Sequence, residues 1–251
     1  MTEVAEYPVT WETLPANYEL PDEPVENLEH PALVSGLTEA IDAAGLITES
    51  ILIASNFGVC VRVAGRVVIK APDWVYIANV KPLPSAENRR SYTPHAEGDV
   101  PAVVMEFLSD RDNGEYSSRP NSPYGKWWFY ERIVKVPKYV IFDPPTGRLE
   151  VYQLQSGHYS PQIPDRNGLY WIPGIDLFLG VWEGTKGQRT GYWLRWWDGE
   201  GNILPWWSEK STQERQRADA AEERAAQLLE RLRRAGVSEE ELRAIDPNNL
   251  S

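Results

Sequence analysis

The chain has 251 residues, of which 42% are hydrophobic, and this is enough for one large domain with a sizeable core. Its formal net charge is −12, and residues 1–208 alone hold 17 basic and 27 acidic side chains. This balance excludes a protein that coats nucleic acid by bulk electrostatic attraction, so any nucleic-acid contact requires a local basic patch or bound cations.

The cysteine and histidine content excludes two kinds of site. Cys60 is the single cysteine, so no disulfide can form within the chain, and this fits a reducing cytoplasm. His30, His95 and His158 lie far apart and give no zinc-site spacing. No apolar stretch is long enough to cross a membrane, and the acidic start does not resemble a secretion signal. We therefore expect a cytoplasmic protein without a membrane partner.

The first hundred residues predict an extended segment, a helix, strands and a loop. Residues 1–28 are rich in proline and glutamate and predict an extended lead-in. Residues 31–45 place apolar side chains four apart and end in glycine, which is typical of a helix. Residues 46–77 predict two or three strands joined by tight turns. Residues 78–99 have no periodicity and predict a loop.

The middle of the chain predicts a strand, a polar loop, a helix and two further strands. Residues 100–109 form the first strand. Residues 122–136 begin with Ser122, a suitable N-cap, and Pro123, which suits the first helical turn. After this helix, the sequence "PPTG" predicts the reversal between two strands.

A tryptophan-rich hairpin is predicted in residues 191–207, which together with Trp171 and Trp182 hold seven of the eleven tryptophans. Asp198–Gly199 and Gly201–Asn202 suggest its turn. The aromatic side chains form either a stacking platform for bases or sugars, or a packed surface that covers a sheet edge. Packing is favoured, because aromatic side chains more often supply buried area than ligand contacts.

Residues 209–251 predict a charged helix. Alanine and leucine at positions 218, 221, 225, 228, 232 and 235 follow the 3, 4 spacing of a heptad seam. This possible short coiled coil supports either self-association or a solvated helix that leans on the body. It would be a weak dimeriser on its own. Gly236 ends the helix, and Ser238 with Glu241 is placed as the capping box of another helix.

Two acids interrupt apolar strands. Period-two alternation puts Glu106 on one face with Val104, and Asp73 on one face with Val75. If the two strands are neighbours, the carboxylates converge and repel each other unless a cation lies between them. Mg²⁺ or Mn²⁺ prefers such oxygen ligands. The pattern therefore predicts a divalent-metal site.

A lysine for phosphate chemistry follows these acids in the sequence. Hydrolysis of a phosphodiester requires a positioned water and a cation near the developing charge. Lys126, in the helix after the Glu106 strand, is the candidate for this cation, with Tyr130 one turn further on the same face. The alternative is an ordinary solvated helix lysine.

These motifs together resemble the Uma family of bacterial restriction-endonuclease-like proteins, which belongs to the PD-(D/E)XK nuclease superfamily. The matching segments are Pro72–Asp73, Glu106–Ser109, Lys126–Tyr130, Tyr139–Asp143 and Val151–Tyr152, within about residues 28–180. The resemblance implies a mixed α/β (α+β) fold, in which a central mixed sheet is flanked by helices and holds a metal at one edge. Asp73, Glu106 and the Phe107 carbonyl would bind the metal. Lys126 would orient a water or neutralise charge in the transition state.

The sequence departs from the superfamily pattern at Leu108, where the usual lysine is absent. In addition, the loop of residues 78–99 carries Lys81, Arg89, Arg90 and His95, and it is either a local DNA contact or a solvated insertion.

The resemblance suggests roles for several further residues. Glu29 and Glu39 are candidates for an additional acid on the first helix, while His30 is interpreted as a capping or packing residue. Lys70 could reach the site. Tyr130, Tyr139 and Asp143 are interpreted as structural residues that brace the helix against the sheet.

The first hypothesis is a metal-dependent endonuclease acting on DNA, with a lead-in at 1–28, a nuclease-like domain at 29–208 and a charged helix at 209–251. The second is an inactive nuclease-like interaction protein that assembles through its C-terminal helix. A weaker third hypothesis is a carboxylate-pair glycosidase with tryptophan platforms for sugars, in which the lysine helix has no role.

Overall fold

The computed structural model describes residues 29–63, 66–82, 88–109, 114–120 and 124–238. The predictions for residues 1–28, for the Ser122–Pro123 helix start and for the Glu241 capping box lie outside these residues. None of the described helices is both long and apolar enough to cross a membrane.

The described helices and strands follow one another along the chain in this order: α1 (Glu29–Ala43), β1 (Leu52–Ala54), β2 (Val59–Val63), β3 (Arg66–Lys70), β4 (Trp74–Ile77), β5 (Val103–Phe107), a 3₁₀ turn (Gly114–Tyr116), α2 (Lys126–Trp128) continuing as a π-helix (Phe129–Val134), β6 (Lys138–Asp143), β7 (Arg148–Gln155), β8 (His158–Pro161), β9 (Tyr170–Ile172), β10 (Leu177–Lys186), β11 (Arg189–Trp197) and α3 (Trp207–Arg234). Residues 46–77 thus contain four strands, where the sequence predicted two or three.

A mixed sheet forms the centre of the fold. Six of the described strands lie in the order β1-β4-β5-β6-β7-β8, and β5 and β6 are parallel while the other neighbours are antiparallel. Two parallel strands require a crossover connection. Helix α2 and its π-helical extension lie in that connection, so the sequence between β5 and β6 returns across the sheet. Strands β2 and β3 pair separately, and β9, β10 and β11 form a further antiparallel sheet.

Each face of the central sheet is covered by a different layer. Side chains of α1 and of the β9–β11 sheet pack against one face, which includes Met105 and Phe107. The π-helix packs against the other face, which includes Val104 and Ile141. The arrangement confirms the expected α/β fold with a central mixed sheet and flanking helices. Because neighbouring residues of a strand point to opposite faces, Glu106 shares the second face with Val104.

Three of the tryptophans in this region serve packing rather than an open platform. Trp193, Trp196 and Trp206 are buried in the core. The Trp196 indole donates to the Leu37 carbonyl of α1 at 3.1 Å, and the Trp206 indole donates to the carbonyl of Gly36 at 2.9 Å. For these three side chains, the packing interpretation is confirmed, since burial of the ring together with a partner for the indole N–H is what a core tryptophan requires.

The hairpin differs from its prediction in the position of its turn. Strand β10 pairs with β11 as far as Lys186 and Arg189, so the reversal lies at residues 187–188. The predicted turn at 198–202 does form, because the Asp198 carboxylate accepts the backbone N–H groups of Glu200 and Asn202. That turn leads to a single isolated bridge between Trp197 and Ile203 rather than to a second long strand.

Candidate active site

The two acids that the sequence analysis singled out lie at the same end of β4 and β5. Trp74 pairs with Met105 in the antiparallel ladder, and Asp73, one residue before β4, is therefore level with Glu106. Asp73 Oδ2 accepts the backbone N–H of Phe107 at 2.6 Å. The Glu106 side chain is fully buried, and the negative charge of Asp73 raises the pKa of its carboxyl group. The acids share one site.

Lys126 joins these acids from the crossover helix. Its Nζ donates to Glu106 Oε2 at 3.0 Å and to Glu115 Oε1 at 3.3 Å. Burial disfavours the Lys126 ammonium, but the carboxylates of Glu106, Glu115 and Asp73 outweigh that effect and raise the pKa of Lys126. The lysine is thus held as a cation over two buried acids, which is not the arrangement of a solvated helix lysine.

Glu115 is the member of this cluster that the sequence analysis missed. It lies in the short 3₁₀ turn, within a segment interpreted as a polar loop, and its residue is 3% exposed. The Tyr139 hydroxyl donates to the Glu115 carbonyl at 2.8 Å. Nearby, a Cβ on Gly125 would lie 1.8 Å from the carbonyl oxygen of Ser117, so the turn and the start of α2 approach as closely as glycine allows.

The Glu106 carboxyl is strongly perturbed. Burial, together with the charges of Asp73 and Glu115, raises the pKa of Glu106 to about 8 against the opposing charge of Lys126. Glu106 Oε1 is buried and accepts no hydrogen bond of good geometry from any residue that the structure describes, although the Tyr130 hydroxyl lies close to the same carboxylate. The Tyr130 hydroxyl is buried as well, and burial followed by the nearby Glu106 charge raises the pKa of Tyr130 well above its usual value.

Two further basic side chains surround the acids. The His30 Nδ1 lies 4.0 Å from Asp73 Oδ1, and its ring meets the Phe107 ring edge-on at 5.6 Å. His30 is therefore beside the site, and it packs there as well. Lys70 ends β3; burial, and then the positive charge of Lys126, lower the pKa of Lys70 while Glu106 opposes the change.

The acids proposed on the first helix have other contacts. Glu39 forms an ion pair with Lys186 at 2.6 Å and accepts the backbone N–H of Trp207 at 2.9 Å, so it joins the start of α3 to the body. Glu29 lies 3.3 Å from the Arg189 guanidinium. The third acid of the cluster is Glu115, which comes from the crossover connection and contacts Lys126.

Two basic side chains of the 78–99 loop, Lys81 and Arg89, bind to other groups of the same loop. Lys81 Nζ donates to the Ala96 carbonyl at 2.8 Å. Arg89 pairs with Glu97 and donates to the Lys81 carbonyl. These contacts engage Lys81 and Arg89 within the described part of the loop, so for these two residues they favour the interpretation as an insertion over that as a DNA contact.

The described side chains alone do not supply enough ligands for a hard cation, so a backbone carbonyl oxygen has to contribute as well. Among the described residues, no three His, Cys, Asp or Glu side chains are grouped so as to hold a metal ion. The predicted ligands are two carboxylates and the Phe107 carbonyl, and all three are oxygen donors of the kind that Mg²⁺ and Mn²⁺ prefer. The buried Glu106 Oε1 accepts no well-formed hydrogen bond among the described residues, and this oxygen is able to accept either the nearby Tyr130 hydroxyl or a cation.

A mixed sheet flanked by helices, with acids and a lysine gathered at one end of its central strands, defines the restriction-endonuclease-like class. The family model Uma2, described as "Putative restriction endonuclease", matches residues 10–181. The chain belongs to the Uma2 family, as its motifs predicted. No curated protein matches the chain.

Proposed function

We propose that this protein hydrolyses phosphodiester bonds in DNA with the help of a Mg²⁺ or Mn²⁺ ion. Its family is described as a restriction endonuclease family, and the metal dependence and the DNA substrate are the proposed refinements. The observation that supports them is the Lys126 ammonium, which contacts the buried Glu106 and Glu115 beside Asp73. A cation fixed next to two level carboxylates is what phosphoryl chemistry requires.

Asp73, Glu106 and the Phe107 carbonyl would hold the ion. When bound, such an ion polarises the scissile phosphate and lowers the pKa of a water ligand. The hydrogen bond from the Phe107 N–H to Asp73 Oδ2 orients the first carboxylate. Glu106 has to release its proton before it can act as a ligand, because burial holds the pKa of this side chain at about 8.

Lys126 has two roles in this proposal. With its proton held on Nζ by Glu115, and by Glu106 once that carboxyl is ionised, it neutralises the acid cluster when no metal is bound. It also offers an ammonium donor to the phosphate or to the attacking water, at the place where negative charge develops. Lys70 adds a second positive charge near the same acids. These two lysines supply the local attraction that the acidic body as a whole does not.

The assay is nicking of supercoiled plasmid DNA with Mg²⁺ or Mn²⁺, and with a chelator as the blank. Lys126→Met keeps the aliphatic stem and should lower the rate by about 10²-fold or more, as loss of one transition-state donor does. Lys135→Met is the matched control, because Lys135 is an exposed residue just after the same π-helix, and its rate should not change. Equal rates for Lys126→Met and wild type, or full activity with the chelator, would contradict the proposal.

Metal binding can be tested without turnover. Mn²⁺ should raise the melting temperature of the wild type, and Asp73→Asn should abolish that shift. A wild type that binds Mn²⁺ but cleaves neither DNA nor RNA would favour the alternative, an inactive nuclease-like interaction protein. Cleavage of RNA but not of DNA would support phosphodiester hydrolysis and would contradict the proposed DNA substrate.

A further inference from the structure

Helix α3 is firmly attached to the body at its first turn. The Trp207 backbone N–H donates to Glu39 Oε1 at 2.9 Å, and its indole donates to Asp42 Oδ2 at 3.0 Å. Lys210 Nζ donates to the Ala43 carbonyl at 2.7 Å. These contacts join the start of α3 to the end of α1, so the direction in which α3 leaves the body is defined.

Beyond this attachment the helix is uncovered. None of the 28 residues of α3 is buried, and Leu228 is 56% exposed. At a rise of about 1.5 Å per residue, the helix is about 40 Å long. Most helical stability in proteins comes from packing of an apolar face. The apolar face of α3 is the seam of Ala218, Ala221, Ala225, Leu228, Leu232 and Ala235, and its spacing of three and four residues is that of a coiled coil.

The charges that flank the seam distinguish between possible arrangements. If Ala218 occupies heptad position a, then Arg217, Arg224 and Arg231 occupy position g and Glu222 occupies position e. An antiparallel pair would place position g of one helix beside position g of the other, so arginines would oppose arginines. A parallel pair instead places each g residue beside the e residue five positions later in the second helix.

We propose that α3 pairs in parallel with α3 of a second copy of this chain. In that arrangement, Arg217 faces Glu222 of the partner subunit, and the same contact is repeated across the twofold axis. Arg224 at the next g position faces the uncharged Leu229 of the partner subunit, so no like charges meet there. Lys210, the next g residue toward the body, would face Arg215 of the partner subunit, but the Lys210 ammonium is directed away from the seam and donates to the Ala43 carbonyl. The flanking charges thus favour the parallel pair and disfavour the antiparallel one.

The seam also determines the strength of the pair. Four of its six positions are alanine, so the helices can approach closely but bury little area, and Leu228 and Leu232 supply most of it. We therefore expect a dimer that dissociates on dilution. The parallel direction places both nuclease-like bodies at the same end of the coil.

The oligomeric state is tested on the full chain by sedimentation over a concentration series. The mass should rise from 28.5 kDa toward twice that value with increasing concentration. Leu228→Lys should keep the mass at the monomer value at every concentration. Ala226→Lys, which adds the same charge at an exposed position outside the seam, should not. A wild type that stays monomeric throughout, or equal behaviour of the two variants, would overturn the proposal.

The direction is tested by cross-linking. In a Cys60→Ser background, Ala221→Cys should form a disulfide-linked dimer on mild oxidation, because equivalent seam positions face each other in a parallel coil. Ala226→Cys, equally exposed but off the seam, is the matched control and should remain uncoupled. A dimer by sedimentation in which Ala221→Cys does not cross-link would overturn the parallel direction. Neither experiment depends on nuclease activity.

Discussion

Replacing Glu106 by glutamine should change how the stability of the protein depends on pH. In the folded protein, burial and the charges of Asp73 and Glu115 raise the pKa of Glu106 to about 8, whereas its ordinary value is 4.5. Between these two values the folded protein binds a proton that the unfolded chain has released. The free energy of unfolding therefore falls as pH rises through this window.

The slope has a defined upper limit. One extra proton bound in the folded state corresponds to about 1.4 kcal/mol of unfolding free energy per pH unit near the middle of the window. Glu106→Gln keeps the shape of the side chain and a carbonyl acceptor for Lys126, but it has no titrating proton. The variant should therefore lose this part of the slope, and the difference in stability between the two proteins should change steadily across the window.

Urea unfolding at a series of pH values from 4.5 to 8, with a chelator present, measures this difference. A second series with Mg²⁺ extends the test, because the ion requires the ionised carboxylate and its stabilising effect on the wild type should grow with pH. If wild type and Glu106→Gln show parallel stability curves, Glu106 does not hold a proton in the folded state, and the reasoning about its burial is wrong.

Three further predictions concern other positions. Gly125→Ala should cost about 1–3 kcal/mol of stability in urea unfolding, because its Cβ would lie 1.8 Å from the Ser117 carbonyl oxygen; Gly199→Ala, which meets nothing within 4 Å, is its control. Burial lowers the pKa of Lys138 to about 8 from 10.5, so in this range the unfolded chain binds a proton that the folded protein lacks. Wild-type stability should rise across that range, and Lys138→Met should remove the rise. Trp196→Phe should lower the free energy of unfolding by about 2 kcal/mol, since it leaves a cavity and removes an indole hydrogen bond; an unchanged denaturation midpoint would contradict this.

The acid pair could be predicted because it depends on local rules. Period-two alternation assigns Asp73 and Glu106 to strand faces without knowledge of the rest of the fold. Pairing of Trp74 with Met105 then brings the acids level. Lys126 was also accessible to prediction, because the helix that follows β5 has to cross back over the sheet before β6. The structure was needed to show which acids the Lys126 ammonium contacts.

Glu115 and His30 could not be assigned in this way. Glu115 lies in a segment without hydrophobic periodicity, and it is placed by contacts that are distant in sequence, such as that with Tyr139. His30 reaches Asp73 from the start of α1, 43 positions earlier in the chain. The position of the hairpin turn was missed for a different reason. Asp198 does form a turn, as its sequence predicted. The long hairpin, however, is made by β10 and β11, whose reversal lies at residues 187–188.

The crossover between β5 and β6 has a consequence for how this protein can change in evolution. The connection leaves the sheet immediately after Glu106 and Phe107, and it has to return over the same face before β6 begins. Two residues of this connection, Glu115 and Lys126, lie at the acid cluster. Leu108 is the first residue of the connection, and Lys126 follows 18 positions later. If Lys126 has the role proposed for it, a lineage could move that ammonium group along this connection, one substitution at a time, while the architecture around it is inherited unchanged.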